Sequence, residues 1–256
     1  MKVIEVSSRR LFFKDVQPAK RAPLATLLLV HGAGGSHLSW RRQLDELSDK
    51  FRIIALDLPG HGLSEGGGEV TIRGYCRCVL ELMELLQLQN VVLGGHSMGG
   101  AIALEIALMG SNRVGALLLV GTGGKLRVLP AIFSIIREDF EVAVQGVGNL
   151  MFGSGAPEGL VEEEKQLLAK NSGDIMLKDF TACDSFDAMG RVGSVTLPTL
   201  IICGKEDRLT PPKYSEFLHE KIAGSEAVFL EKCGHMPMLE QADEFNASVS
   251  SFLMGL

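Results

Sequence analysis

Ser97 has the surroundings of a nucleophile. It stands in the segment Gly95-His96-Ser97-Met98-Gly99-Gly100, between an apolar run at 91–93 and a helix-like stretch at 101–109. A sharp turn from a strand into a helix strains the backbone and brings chains close together, which glycine tolerates at low cost. Such a turn exposes the hydroxyl at the carboxyl end of the strand and aims the helix N-terminus at developing negative charge. A Gly-x-Ser-x-Gly pattern alone is weak evidence, so its placement between a strand and a helix carries the prediction.

A carboxylate follows a later apolar run, at 199–203. Asp207 comes shortly after this run, so we expect it at the carboxyl end of a strand, on the same sheet edge as Ser97. Glu206 is the adjacent competitor, and composition alone does not separate the two. The position favours Asp207 as the acid that orients a histidine.

His235 is the matching candidate for a general base. It lies between Gly234 and Pro237, after an apolar run at 226–230 and before a helix-like stretch at 240–252. A lone histidine in a loop is usually only solvated, but the chain order serine, aspartate, histidine is that of a known catalytic triad. In such a triad the histidine accepts the serine proton, and the aspartate selects the histidine tautomer.

Two backbone amides are expected to form an oxyanion hole. Attack on a carbonyl places negative charge on its oxygen, and one N–H donor to that oxygen comes from the residue after the nucleophile, here Met98. Ala33 is the candidate for the second donor. It lies in His31-Gly32-Ala33-Gly34-Gly35, directly after an apolar run at 24–30, where the glycines allow the amide to turn inward. A plain glycine-rich turn is the alternative interpretation of this loop.

The elements that must position these residues alternate between strand and helix. Apolar runs without polar alternation fit buried parallel strands, and a predicted hairpin of 3–6 and 10–14 precedes them. The runs fall at 24–30, 52–56, 91–94, 116–121, 199–203 and 226–230, and helix-like stretches fall at 38–47, 72–86, 101–109, 213–221 and 240–252. This alternation predicts an α/β fold, with a mostly parallel sheet that helices cover on both faces.

One insertion breaks the alternation. About 75 residues separate the strand ending near Gly121 from the one beginning near Thr199, far more than a usual connection. They contain helix-like stretches at 131–140, 142–151, 161–170 and 175–186. We therefore expect a core domain of residues 1–122 and 197–256 and a helical cap of residues 123–196.

The composition fits a compact protein that acts on a small molecule. Of the 256 residues 46% are hydrophobic and 22% charged, and the formal net charge is −6. No basic face is visible, so we expect no nucleic-acid partner. No N-terminal signal and no membrane-length run is visible. The five cysteines form no CxxC pair, which predicts reduced thiols in the cytoplasm, no metal site and no cofactor. The oligomeric state is not predicted.

The motifs around Ala33, Ser97, Asp207 and His235, with Asp57-Leu58-Pro59-Gly60-His61-Gly62-Leu63-Ser64, resemble those of the α/β-hydrolase superfamily. The resemblance covers nearly the whole chain. It implies an eight-stranded sheet with a helical cap inserted after the sixth strand. Within the superfamily the chain looks like the small carboxylesterases and the serine hydrolases with a helical cap. Epoxide hydrolases and dehalogenases are also similar, but they carry aspartate where this chain has Ser97.

The cap favours an apolar substrate. It is rich in Leu, Ile, Met and Phe and has no cluster of Arg or Lys, which favours an uncharged ester of short or medium acyl length, cleaved by water. The candidate pocket residues, for which core packing is the alternative, are Trp40, Phe133, Phe140, Met151, Phe180 and Met236. The same machinery would serve a thioesterase, a C–C bond hydrolase or a cofactor-free lyase. A receptor-like binding protein with vestigial turnover is the alternative from another class.

Overall fold

The computed structural model describes residues 2–256, which contain an eight-stranded sheet. Its strands are β1 (Lys2–Val6), β2 (Arg9–Val16), β3 (Thr26–Val30), β4 (Arg52–Leu56), β5 (Val91–His96), β6 (Val114–Val120), β7 (Thr199–Gly204) and β8 (Glu226–Leu230). Their spatial order is β1-β2-β4-β3-β5-β6-β7-β8. Strand β2 is antiparallel to both neighbours and the other pairs are parallel, which confirms the predicted sheet.

Ten α-helices occur within the described residues. They are α1 (Arg41–Glu46), α2 (Ile72–Leu85), α3 (Met98–Leu108), α4 (Pro130–Glu138), α5 (Phe140–Met151), α6 (Glu158–Leu168), α7 (Gly173–Asp184), α8 (Pro212–Lys221), α9 (Pro237–Glu240) and α10 (Ala242–Gly255). Two predicted helices are divided. The segment 38–47 is a 3₁₀ turn at His37–Trp40 followed by α1. The segment 240–252 falls mostly in α10, because Pro237 starts the short α9 before it.

The central strands are buried on both faces, which explains their uninterrupted apolar sequences. Along β5, Val91 and Leu93 belong to one hydrophobic cluster and Val92 to the other. Helices α2 and α3 contribute to the first cluster, and α1 and α10 contribute to the second. The sheet is thus held between two helical layers, and the loops that follow its parallel strands meet at one edge.

The insertion after β6 is helical. Helices α4–α7 lie between β6 and β7, as predicted for a cap after the sixth strand. Their starts follow from local sequence. Pro130 lies in the first turn of α4, the Asp139 side chain caps α5, and the Ser172 side chain caps α7. The exact division into a core of 1–122 and 197–256 and a cap of 123–196 stays a prediction.

All five cysteines are buried and free. Within residues 2–256, no group of three or more His, Cys, Asp or Glu side chains is arranged to hold a metal ion. Over the same residues no helix has both the length and the apolarity that a membrane span requires.

Candidate active site

Ser97 forms the turn between β5 and α3. Its backbone has φ +52° and ψ −114°, a region that residues with a side chain rarely adopt. Glycine is needed on both sides. A Cβ on Gly95 would lie 2.0 Å from the Gly99 carbonyl oxygen, and a Cβ on Gly99 would lie 2.2 Å from the Val30 carbonyl oxygen. Both glycines are therefore required, because the first turn of α3 lies in direct contact with the end of β5 and the end of β3.

Asp207 and His235 form a buried pair on the loops after β7 and β8. The Oδ2 atom of Asp207 accepts a hydrogen bond of 2.8 Å from Nδ1 of His235. The other oxygen, Oδ1, accepts bonds of 2.9 Å from the backbone amides of Leu209 and Thr210. Because Nδ1 carries the proton in this arrangement, Nε2 of His235 is left as an acceptor.

The environment of Asp207 keeps this carboxyl group ionised. Burial alone would raise its pKa, but the neighbouring His235, the hydrogen bond from that ring and the bonds from Thr210 lower the pKa below its ordinary value. Glu206, the competing acid, is exposed and accepts hydrogen bonds of 2.6 and 2.8 Å from the amide and hydroxyl of Ser154. The structure thus pairs His235 with Asp207 and not with Glu206.

Ser97 and His235 line the same cavity, which has a volume of about 160 Å³. Within residues 2–256 the Ser97 hydroxyl makes no hydrogen bond to the imidazole. Such catalytic bonds are often long until substrate is bound, and then they shorten. The structure therefore brings together the three side chains that the sequence predicted, with the aspartate–histidine bond already formed.

Ala33, in the loop after β3, lines this cavity. The Gly32 carbonyl accepts hydrogen bonds from Nδ1 of His31 at 2.8 Å and from the Gly35 amide at 3.1 Å. In a trans peptide the N–H points away from the carbonyl, so the Ala33 N–H is directed to the opposite side. Met98 is the first residue of α3, and its amide has no partner inside the helix. The two amides stay the candidate oxyanion donors that the sequence predicts.

Two buried histidines support this loop and the imidazole. Nε2 of His31 accepts the Leu58 amide at 3.0 Å, and burial lowers the pKa of His31 to about 4. A ring nitrogen of His96 lies 2.8 Å from the His235 carbonyl oxygen, and burial, together with the neighbouring His235, lowers the pKa of His96 to about 3. Both rings are therefore neutral and act on the site through hydrogen bonds.

The chain matches a known protein family over most of its length. The model of the alpha/beta hydrolase family matches residues 27–248, which include every candidate residue described above. The chain belongs to the alpha/beta hydrolase family. The match confirms the superfamily that the sequence motifs resemble.

Individual relatives of this hydrolase cover almost the whole chain. A solved thermophilic esterase is 31% identical, has a TM-score of 0.87, and the match covers 99% of this chain and 97% of that one. A protein of Agrobacterium fabrum with the provisional name carbamate hydrolase RutD is 29% identical, over 94% of this chain and 97% of that protein. A pimeloyl-[acyl-carrier protein] methyl ester esterase of Nitrosospira multiformis is 27% identical, over 88% and 93%.

The predicted pocket residues of this hydrolase divide into two groups. Met151 and Phe180 line the Ser97 cavity, and Met236 lines an adjacent cavity of about 360 Å³ that also reaches Ala33. Trp40, Phe133 and Phe140 line neither of these two cavities, and a pocket role for them stays a prediction. Trp40 is fully buried and packs in the core with Phe245, their ring centroids 6.4 Å apart. Phe140 packs against the second hydrophobic cluster.

Several lining residues of the hydrolase cavity were not predicted. The segment after β6 supplies Leu126, Arg127, Val128 and Leu129, and the loop after β7 supplies Arg208. Their position directly after parallel strands was the available signal, because such loops meet at the binding edge. The Arg208 guanidinium donates to the Phe152 carbonyl at 3.1 Å, so its charge also ties this loop to the end of α5.

Proposed function

We propose that this hydrolase is a serine esterase that cleaves an uncharged carboxylic ester of short or medium acyl length through an acyl-enzyme intermediate. The observation that carries the proposal is the Asp207–His235 hydrogen bond at the edge of a cavity that the strained Ser97 also lines. A nucleophile, an oriented base and two amide donors around one cavity are the parts that acyl transfer requires.

The proposed reaction has two stages. Nε2 of His235 takes the Ser97 proton while Oγ attacks the ester carbonyl carbon, and the Ala33 and Met98 amides bind the resulting oxyanion. The tetrahedral intermediate collapses to an acyl-serine, and the imidazolium returns the proton to the departing alcohol. Water then attacks the acyl-serine with the same histidine as base, which releases the acid and restores Ser97.

The size and lining of the cavity support a small acyl group. Its volume of about 160 Å³ is below the roughly 300–1,000 Å³ of common ligand pockets, and its lining is mainly apolar. Val147, Leu150 and Phe180 are among the lining side chains from the cap helices. The names of the relatives, an esterase, a carbamate hydrolase and a methyl ester esterase, describe attack on a carbonyl that carries a heteroatom leaving group.

A fluorophosphonate label and an acyl panel test the proposal together. We expect a fluorophosphonate to modify the wild-type protein once, at Ser97, and to leave the Ser97→Ala variant unmodified, as peptide mass spectrometry would show. Among p-nitrophenyl esters we expect multiple turnovers with acetate and butyrate and slower turnover with long chains. An acyl thioester and a carbamate, assayed in parallel, reveal a different leaving-group preference. A single turnover, or no labelling of Ser97, contradicts the proposal.

Acidification should inactivate the enzyme, because an imidazolium at position 235 cannot accept the Ser97 proton. The lowered pKa of Asp207 keeps this group ionised to more acid pH than an ordinary carboxyl group. We expect kcat/KM for p-nitrophenyl butyrate to fall on the acid side as a single ionisation. The stability from Asp207 is lost only when the pH falls through its lowered pKa, so unfolding follows at more acid pH. Activity that stays constant down to about pH 4 contradicts the role of His235.

A further inference from the structure

A buried carboxylate of the cap contacts three separate segments of the core. Asp179 lies on α7 and is fully buried. Its Oδ2 atom accepts the Gly34 amide at 2.8 Å and lies 2.7 Å from Nε2 of His61, and Oδ1 accepts the Tyr75 hydroxyl. These partners belong to the loop after β3, the loop after β4, and α2. The proposed mechanism uses neither Asp179 nor any of these three partners.

The three donors compensate the cost of burying this charge. An unpaired carboxylate is strongly disfavoured in a protein interior, and three hydrogen bonds are what such a group needs there. Burial alone would lower the pKa of His61, but the charge and the hydrogen bond of Asp179 raise it above the ordinary value. The position of α7 against the core therefore depends strongly on this carboxylate, which joins the helix to three core segments.

The cap binds both the backbone amide and the backbone carbonyl of Gly34. Besides the bond from its amide to Asp179, its carbonyl accepts the Asn171 side-chain amide at 2.6 Å. Gly34 has φ +65°, and a Cβ there would lie 3.0 Å from Met176 and 3.1 Å from Leu168. The loop therefore bends into close contact with the cap, a conformation that only glycine adopts without strain.

Gly34 directly follows Ala33, the candidate oxyanion donor. The core fixes the peptide before Ala33, through the bonds to the Gly32 carbonyl, whereas Asp179 fixes the N–H of the peptide after it. An oxyanion donor must be held within a fraction of an ångström of its productive position. The Ala33 N–H itself lies in the peptide that the core holds, so release of the Gly34 amide would displace it by letting this end of the loop shift away from α7.

We propose that Asp179 is a positioning residue for the oxyanion hole, so that docking of α7 and formation of the hole are coupled. This rests on the proposed function, because the hole acts only when Ser97 generates an acyl oxyanion. Asp179 touches no reacting atom. It acts through Gly34, and the expected signature is a loss of transition-state stabilisation with substrate binding retained.

The Asp179→Ala variant tests this role. Asparagine would not, because its oxygen could replace Oδ2 and still accept the Gly34 amide, whereas alanine removes both acceptor oxygens and leaves that amide without its partner. We expect kcat for p-nitrophenyl butyrate to fall by about 10–10²-fold, less than the loss of an entire donor, with KM nearly unchanged. The Ki of an alkyl trifluoromethyl ketone, whose hemiketal oxygen occupies the hole, should rise by the same factor. Rates are expressed per site titrated with the fluorophosphonate.

Tyr75→Phe is the matched control. It removes a hydrogen bond from the same carboxylate and leaves the bonds to Gly34 and His61, so we expect a lower melting temperature with kcat and the ketone Ki close to wild type. If Asp179→Ala does not fold, Asn171→Ala replaces it, and a smaller loss of kcat with a parallel rise in Ki is expected.

Three results overturn the inference. One is an Asp179→Ala variant, or Asn171→Ala in its place, that melts earlier but keeps its kcat. Another is a Tyr75→Phe variant that loses as much activity as Asp179→Ala. The third is a wild-type protein that is neither labelled nor active, which removes the proposed function and the inference together. An active wild type with an unaffected Asp179→Ala removes the inference alone.

Discussion

Replacing Ser97 by alanine should lower kcat for p-nitrophenyl butyrate by about 10⁶-fold. The hydroxyl is the proposed point of covalent attachment, on a residue that lines the same cavity as His235. Substrate binding should remain, because the apolar cavity is unchanged. Steady-state kinetics, with fluorophosphonate labelling to measure wild-type contamination, gives the comparison. A residual kcat within about tenfold of wild type contradicts the role of Ser97.

The backbone at Ser97 adds a second readout to this experiment. At φ +52° a residue with a Cβ is strained by roughly 1–3 kcal/mol, and glycine is not. Ser97→Gly should therefore be as inactive as Ser97→Ala but unfold at a higher temperature. Thermal unfolding of the two variants side by side measures the difference, which tests whether the turn stores strain in order to present the hydroxyl. A higher melting temperature for the alanine variant contradicts this interpretation.

The sheet and the candidate triad could be predicted because their signals are local. The uninterrupted apolar sequences of β5 and β7 reflect burial on two faces. In the four helical stretches after β6 the apolar residues recur at helical spacing, which differs from the alternation of a strand. Ser97 and Asp207 directly follow strands, and parallel strands end at one sheet edge. Their convergence therefore follows from topology before any side-chain contact is known.

The remaining features depend on contacts between distant segments. Asp179 is 118 residues from His61 and 145 from Gly34 in the sequence. An aspartate in a helical stretch is usually exposed to solvent, so the sequence around Asp179 does not indicate a buried contact. Trp40 was predicted to line the pocket because it is large and apolar. Residue type does not specify which apolar surface it contacts, and the structure packs it with Phe245. Such partners are fixed only when the cap and the core dock.

Asp207→Asn should lower kcat by about 10⁴-fold while the fold is retained. The Oδ1 position accepts two backbone amides, from Leu209 and Thr210, so the asparagine oxygen must occupy it. The asparagine NH₂ then faces Nδ1 of His235, which must become an acceptor. The ring proton moves to Nε2, and that nitrogen can no longer take the Ser97 proton. Circular dichroism and the melting temperature establish that the variant is folded.

Glu206→Gln is the matched control for the acid. Its carboxylate is adjacent in sequence but exposed, and it contacts Ser154 and not the imidazole, so activity should stay close to wild type. A large loss in Glu206→Gln with none in Asp207→Asn would reverse the assignment. The double variant of Ser97→Ala and Asp207→Asn should be no slower than Ser97→Ala alone, because the carboxylate acts only through the proton that Ser97 supplies. Additive losses would mean that Asp207 has a separate role.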